Sequence, residues 1–513
     1  MLVYWDRRRA ADPRRELELL HGADPLDTLI GLGEIEAGVA DALCSEQDRE
    51  VPLTRALRGL SLEAARAWLD GRRFAFEPPD GLPQRVFLGI PEGYAYYGLY
   101  PEMYVEAAER FAAGCLRGGD SSRVGVIGVR GIGTSLSAVV AAALERAGCA
   151  VESWTVRPRG HPFGRIVQCD PSLELAWQSR AIGWWAVVDE GPGLSGSSMT
   201  SVAAKLAKLG VPDARIVLFP SWEASAEQFV SGEARARWPL HRKYTGRFRA
   251  PGGLDISAGE WRRITYADSA DWPAVQPQHE RRKYLSREMA GGRRTLLKFA
   301  GLGRFGRRKL ERAERLWQAG FGPRPLGFGN GFLHLEWVEG RPVRELTPAL
   351  FETMARYLAF LRDEFPGGEG ASTDELLDMI RANTGREWRG KAPDLPVCGV
   401  DGRMLPHEWI ETERGYIKTD ALDHHDGHFL PGCQPVAWDV AGAAVEFGLG
   451  AEATARLAAE CGAGAGLSFY LTAYAAFRRG YAALAETALA GTADGVRFAE
   501  LGRTYAAAAG EPL

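Results

Sequence analysis

Asp189 and Glu190 stand side by side after the apolar run Trp184–Val188, and glycines and hydroxyls fill the eight residues that follow, through Ser198. Adjacent carboxylates can hold sugar hydroxyls or a phosphate-bound Mg²⁺. Gly193 and Gly196 let the backbone close on a ligand. Amides at the start of the next helix, with Ser195, Ser197 and Ser198, would face an anion. A second loop of this kind, Arg130-Gly-Ile-Gly-Thr-Ser135, offers Arg130, Gly131 and Thr134 to an oxyanion. Arg157, Arg159, His161 and Arg165 fall within nine residues, a basic loop able to neutralise a leaving anion and exclude water. Far downstream, Lys298 ends an apolar segment, and Asp420, Asp423, His428 and Asp439 follow in the last quarter of the chain. Asp423 and Asp439, sixteen residues apart, suit nucleotide–metal chemistry. A separate reading groups His424, His425 and His428 with Asp423 and Asp426 as a transition-metal cluster, although the spacing is no known zinc pattern.

These residues need elements to hold them. Arg123–Val129 and Trp184–Val188 are continuous apolar runs that predict buried strands, each followed by a helical stretch. Residues 151–169 read as strand, basic loop, strand, and Val211–Pro220 as a further buried strand. Ordered loops from three strands predict a parallel α/β domain over about 82–225. Before it, residues 1–81 show helical apolar spacing and no chemistry. Five tyrosines within Gly93–Tyr104 either stack on a flat base or pack as core edges. Residues 226–280, rich in Arg, Trp and Gly, read as a basic linker. From 281 onward the pattern is two strands, a charged helix over 307–318, a strand at 332–335 and the segment Glu336-Trp-Val-Glu-Gly340. Gly301-Leu-Gly-Arg-Phe-Gly306 matches a dinucleotide fingerprint, but no acidic strand follows it, so it reads as a turn into the helix. Residues 450–513 are alanine-rich and helical.

The totals bound these readings. A length of 513 residues predicts two to four domains, and 46% hydrophobic with 25% charged residues is ordinary for a soluble globular protein. A net charge of −4 argues against general nucleic-acid binding. The seven cysteines are scattered and form no CxxC pair, so neither a zinc ribbon nor a disulfide framework is indicated. No apolar stretch of about 20 residues and no signal-peptide layout occur, so a cytoplasmic protein is expected.

The stretch from Trp184 to Ser198 resembles the ribose-phosphate signature of type I phosphoribosyltransferases: hydrophobics, two acids, then a small-residue loop. Here Glu190 replaces the second Asp and the loop is about one residue longer. The resemblance implies that Arg130, Gly131 and Thr134 hold pyrophosphate. It also implies that Arg157, Arg159 and His161 form a catalytic flap, and that the tyrosine-rich segment forms a hood over the acceptor base.

Residues 281–480 resemble the aminoglycoside-phosphotransferase and protein-kinase group. The resemblance implies that Lys298 meets ATP phosphates and pairs with Glu314, with Glu311 a near alternative, and that Glu336 and Val338 line the ATP hinge. Tyr416–Leu430 aligns with the loop H-G-D-x-x-x-x-N. That register makes Asp423 the base and puts His428 in the metal-binding Asn position; a slip makes Asp420 the base. Val436–Asp439 matches the strand whose Asp holds Mg²⁺.

Together these imply an α/β chain of four segments: a helical N-terminal segment (1–81), a Rossmann-like parallel-sheet phosphoribosyltransferase domain (82–225), a linker (226–280) and a bilobal kinase-like α+β domain (281–513). The implied function is phosphoribosyl transfer or base exchange coupled to ATP-dependent phosphorylation of a small molecule, with Mg²⁺ or Mn²⁺, ATP and a phosphoribosyl donor. A nucleotide-binding sensor with a pseudokinase domain is the competing class. The partners expected are nucleotide-like small molecules, not membrane or nucleic acid; a homodimer is left open.

Overall fold

The structure is a computed structural model that describes residues 8–115, 123–178, 182–286, 294–427 and 429–510. The chain divides into two compact units, Arg8–Ala250 and Pro251–Leu513. This differs from the four segments expected. The N-terminal helices are not a separate body, and the basic linker is split between the units.

In Arg8–Ala250, β1 (Arg8–Ala11) pairs antiparallel with β2 (Val86–Gly89). The helix Pro25–Leu43 packs against the helices Pro52–Leu69 and Ile132–Arg146. Asp24 caps its start, accepting the Leu26 amide at 2.9 Å. The central sheet contains β3 (Arg123–Val129), β4 (Ala150–Val156), β5 (Trp184–Val188), β6 (Ile216–Phe219) and β7 (Arg242–Lys243), in the order β4-β3-β5-β6-β7. Every neighbouring pair is parallel. β5 is wholly buried and β3 is buried beyond Arg123, as strands with helices on both faces must be. All loops that leave the C-terminal ends of these strands therefore emerge on one edge of the sheet.

In Pro251–Leu513, β8 (Leu254–Asp255), β9 (Lys283–Leu285), β10 (Thr295–Phe299), β11 (Pro325–Gly329) and β12 (Phe332–Glu336) form an antiparallel sheet ordered β11-β12-β10-β9-β8. The helix Arg304–Gln318 contacts β11 and β12, and the glycines 301–306 make the turn into it. A second antiparallel sheet joins β13 (Arg341–Pro342), β14 (Trp409–Thr412) and β15 (Gly415–Lys418). The helices Pro348–Glu364, Thr373–Thr384, Ala437–Glu446 and Leu467–Ala488 close over a core that includes Tyr357, Trp409, Trp438 and Tyr474. The C-terminal part carries the helices Ala451–Glu460, Leu467–Ala488 and Ala493–Ala508. Among the described residues, no helix is long and apolar enough to cross a membrane.

Candidate functional site

In the first unit, Asp189 and Glu190 lie at the C-terminal end of β5, half-buried. Two helix N-termini converge there. Gly133, in the first turn of Ile132–Arg146, approaches β5 so closely that a Cβ would sit 2.8 Å from the Val188 carbonyl. Gly196 caps the helix Ser197–Lys208 with φ 64°, and a Cβ there would strike Phe229. The Glu190 carboxylate accepts the Gly93 amide at 3.1 Å, and Tyr104 donates its hydroxyl to the Asp189 carbonyl at 2.7 Å. The tyrosine-rich segment thus braces the acids. Tyr94, Tyr96 and Tyr104 are themselves buried, as core edges. Burial pushes the Asp189 carboxyl up to about 6. Burial, then Glu92 and Asp189, push Glu190 up to about 8.

The basic loop does not form the free flap the sequence implied. Arg157 pairs with Asp41 at 2.5 Å, and Arg159 pairs with Asp48 at 3.0 Å and donates to the Cys44 carbonyl. Arg130 pairs with both Asp48 and Asp41 and is only 3% exposed. Both acids come from the N-terminal region, more than eighty residues before Arg130. These arginines are therefore tied down, and Thr134 is fully buried, its carbonyl taking Arg58 at 2.9 Å. His161 is exposed. Arg165 donates to Ser198 Oγ at 3.4 Å, and Ser197 donates to the Pro162 carbonyl at 2.6 Å, so the loop tip covers the start of Ser197–Lys208.

In the second unit a cavity of about 710 Å³ is lined by Lys298 and Leu296 of β10, by Glu336, Trp337 and Val338 after β12, and by Ile410. Arg281, Arg403, Glu408, Asp420, Asp423 and His424 line its polar end. Lys298 Nζ meets Asp420 Oδ1 at 2.5 Å and Asp423 Oδ1 at 2.9 Å. Arg281 Nε donates to Asp423 Oδ2 at 3.0 Å. Burial opposes charge on all of them, but the pairing outweighs it: Lys298 is held above its ordinary range, and Asp420 and Asp423 well below theirs.

The expected partner Glu314 is not in this group. It is exposed, as is Glu311, because Arg304–Gln318 turns Lys309 and Arg312 inward. Arg312 donates to the Ala421 and Gly399 carbonyls at 2.8 and 2.9 Å. Asp439 is also elsewhere. The expected strand is the first turn of the helix Ala437–Glu446, and the fully buried Asp439 carboxylate accepts the Asp401 and Gly402 amides at 2.7 and 2.9 Å. A carboxylate sequestered in this way anchors a loop and does not face the cavity. His428 lies outside the described residues.

Sequence reasoning missed that anchored loop. Asp401 is buried against Lys418 and Tyr357, at 3.0 and 2.6 Å. Glu408 takes Lys418 at 2.7 Å and Arg403 at 3.0 Å. His424 donates Nδ1–H to the Asp401 carbonyl at 3.0 Å and accepts from Arg403 through Nε2 at 2.8 Å. The signal was spacing: Asp401-Gly-Arg-x-x-x-x-Glu408 has the length of H-G-D-x-x-x-x-N and stands directly before the β14–β15 hairpin, with Asp420 after it. Asp420 and Asp423 with His424, and Asp401 and Glu408 with His424, form two groups whose ligand atoms lie within 4.8 Å of one another.

No protein-family model and no curated protein matches the chain. Among solved structures it is similar to choline kinase LicA from Streptococcus pneumoniae, at 13% identity over 44% of this chain and 90% of that one, with a TM-score of 0.32. A choline/ethanolamine kinase family protein from Mesorhizobium loti is 14% identical over 49% of this chain and 95% of that one, TM-score 0.30. The Plasmodium vivax ethanolamine kinase is 10% identical over 45% and 80%, TM-score 0.31. None of these three is a phosphoribosyltransferase.

Proposed function

We propose that residues 251–513 form an ATP-dependent phosphotransferase acting on a small molecule. One observation carries the reading: a strand lysine, Lys298, lines a cavity of about 710 Å³ and is paired there with two carboxylates, Asp420 and Asp423. The adenine would lie between Leu296 and Ile410, along Glu336–Val338, and Lys298 would hold phosphate oxygens. The oxygen donors of Asp420 and Asp423 fit Mg²⁺ or Mn²⁺. When bound, that cation supplies neutralisation of phosphate charge. The metal role expected of Asp439 thus passes to this pair. The chain's own contribution is positioning, which suffices for most of the acceleration in a loose phosphoryl-transfer transition state. The sensor alternative is separated by structure and turnover. Crystals soaked with an ATP analogue should show it bridging Val338 and Lys298, and ATP should be consumed; bound nucleotide without turnover would favour the sensor.

For residues 8–250 we propose a ribose-phosphate site at Asp189, Glu190 and the loop 193–198, taking a phosphoribosyl donor or a ribose 5-phosphate nucleotide. The two helix N-termini beside the acid pair support this. With Arg157 and Arg159 committed to Asp41 and Asp48, the cation for a transfer step would come from Arg165, with His161 on the same loop. A cytoplasmic setting and nucleotide-like substrates, without membrane or nucleic acid, belong to the same proposal.

A further inference from the structure

Phosphoryl transfer to a hydroxyl or amine leaves a proton to be removed. At the polar end of the cavity, Asp423, Glu408 and His424, which could take it, are engaged. Asp423 receives Lys298 on one oxygen and Arg281 on the other. Glu408 receives Arg403 and Lys418, one on each oxygen. Asp420 receives Lys298 on one oxygen, and its other, 3.8 Å from Arg403 and His424, is the one left to the proposed cation. His424 Nε2 already accepts from Arg403.

What the chain does present here is a guanidinium with a donor to spare: Arg403 gives Nη2 to Glu408 and His424, while its buried Nε has no hydrogen-bond partner among the described residues. Arg403 stands on the loop stapled by Asp439, two residues beyond Asp401. Arg281 enters β9, and Lys298 lies on the neighbouring β10. Arg403 and Arg281 both bear electrostatically on His279, which stacks on Phe429 at 3.7 Å and meets the Tyr481 hydroxyl at 3.0 Å. All of these line the same cavity. A guanidinium offers its donors in a fixed fork that matches carboxylate or phosphate oxygens.

We propose, resting on the phosphotransferase reading, that the acceptor is an oxyanion, a carboxylate or a phosphate group, oriented by Arg403. Its negatively charged oxygen forms the new bond to the γ-phosphorus. The bond from that phosphorus to the β–γ bridging oxygen breaks, and the electron pair leaves on ADP. No proton moves, so no base is required. The product is an anhydride: an acyl phosphate from a carboxylate, a pyrophosphate linkage from a phosphate.

The test uses the full chain saturated with Mg·ADP, titrated calorimetrically with inorganic phosphate, with acetate and with ethanolamine. Losing one charge-assisted contact should weaken binding of the oxyanion by roughly tenfold or more in Arg403→Met. Arg403→Lys, which keeps the charge, should recover part of it, and ADP affinity should be alike in all three proteins. Phosphate tighter than acetate assigns the acceptor to the phosphates, and the reverse to the carboxylates. Equal oxyanion binding in wild type and Arg403→Met, or a preference for ethanolamine, overturns the proposal. Failure of the wild type to bind ADP at all sinks the phosphotransferase reading, and the proposal with it.

Discussion

The Asp439 carboxylate accepts the backbone amides of Asp401 and Gly402, at 2.7 and 2.9 Å, across 38 residues of chain. Both amides point into the core, and the loop carrying Arg403 and Glu408 is fixed by this contact. Asp439→Asn keeps the shape but turns one acceptor into a donor that faces an N–H. Leaving a buried amide unsatisfied costs about 1–3 kcal/mol. Urea unfolding should show that loss, with the slope unchanged. Wild-type stability in the variant would mean that the staple is not what holds the loop.

Arg130 and Asp48 are 1% and 2% exposed at their side chains. Removing one partner of a buried pair costs about 3–5 kcal/mol. Arg130→Met should therefore destabilise residues 8–250 by that order. Arg159→Met, whose side chain is 16% exposed, should cost less. Denaturant unfolding followed by tryptophan fluorescence checks this. Unchanged stability with lost turnover would return these arginines to the role of a catalytic flap.

His279 is held down to about 4 by burial, then Arg403 and Arg281. His407 and His425 are held down to about 3, by burial first and then by Arg403 and Arg312 respectively. The unfolded chain binds protons at these sites near pH 6.5, where the folded chain does not, so stability rises with pH across this window and falls as pH drops from about 6.5 toward 4. The paired Asp420 and Asp423 act lower, their contribution fading only below their unfolded value. Calorimetric melts at several pH values should show the first decline, and the double change His407→Gln, His425→Gln should flatten it. Parallel profiles would contradict the assignment.

Glu190 is pushed up to about 8 and Asp189 to about 6, chiefly by burial. Each must be ionised to hold a ribose-bound cation, so affinity for Mg·phosphoribosyl pyrophosphate should rise from pH 6 to 9. In Glu190→Gln the rise should stop near the ionisation of Asp189. Titration calorimetry that shows no pH dependence in the wild type would remove Glu190 from the site.

Much of the scaffold was legible because local pattern dictated it. β3 and β5 are continuous apolar runs buried on both faces, and their bounds in the structure match the sequence reading. Lys298 was legible as the last polar residue of a short strand, and its place in a cavity follows from β10 lying inside its sheet. The inward face of Arg304–Gln318 was not. Its buried stripe carries Lys309 and Arg312, whose charges are satisfied by the carbonyls of Ala300, just before the helix, and of Ala421, far along the chain, so apolarity did not mark it. The Asp41 and Asp48 clamp and the Asp439 staple were hidden for the same reason. Each joins groups 37 to 116 residues apart, and no local spacing records such a pair.

In the proposed phosphotransferase, Lys298, between Asp420 and Asp423, holds the phosphates of a nucleotide in the cavity of residues 251–513. Titration of Mg·ATP into the wild-type chain and into Lys298→Met tests it most directly. Binding to the wild type should be saturable, with one nucleotide site in this unit, and should weaken by roughly tenfold or more in the variant, as expected for loss of a charge-assisted contact. Absence of ATP binding to the wild type with Mg²⁺ or Mn²⁺, or equal affinity in both proteins, would contradict it.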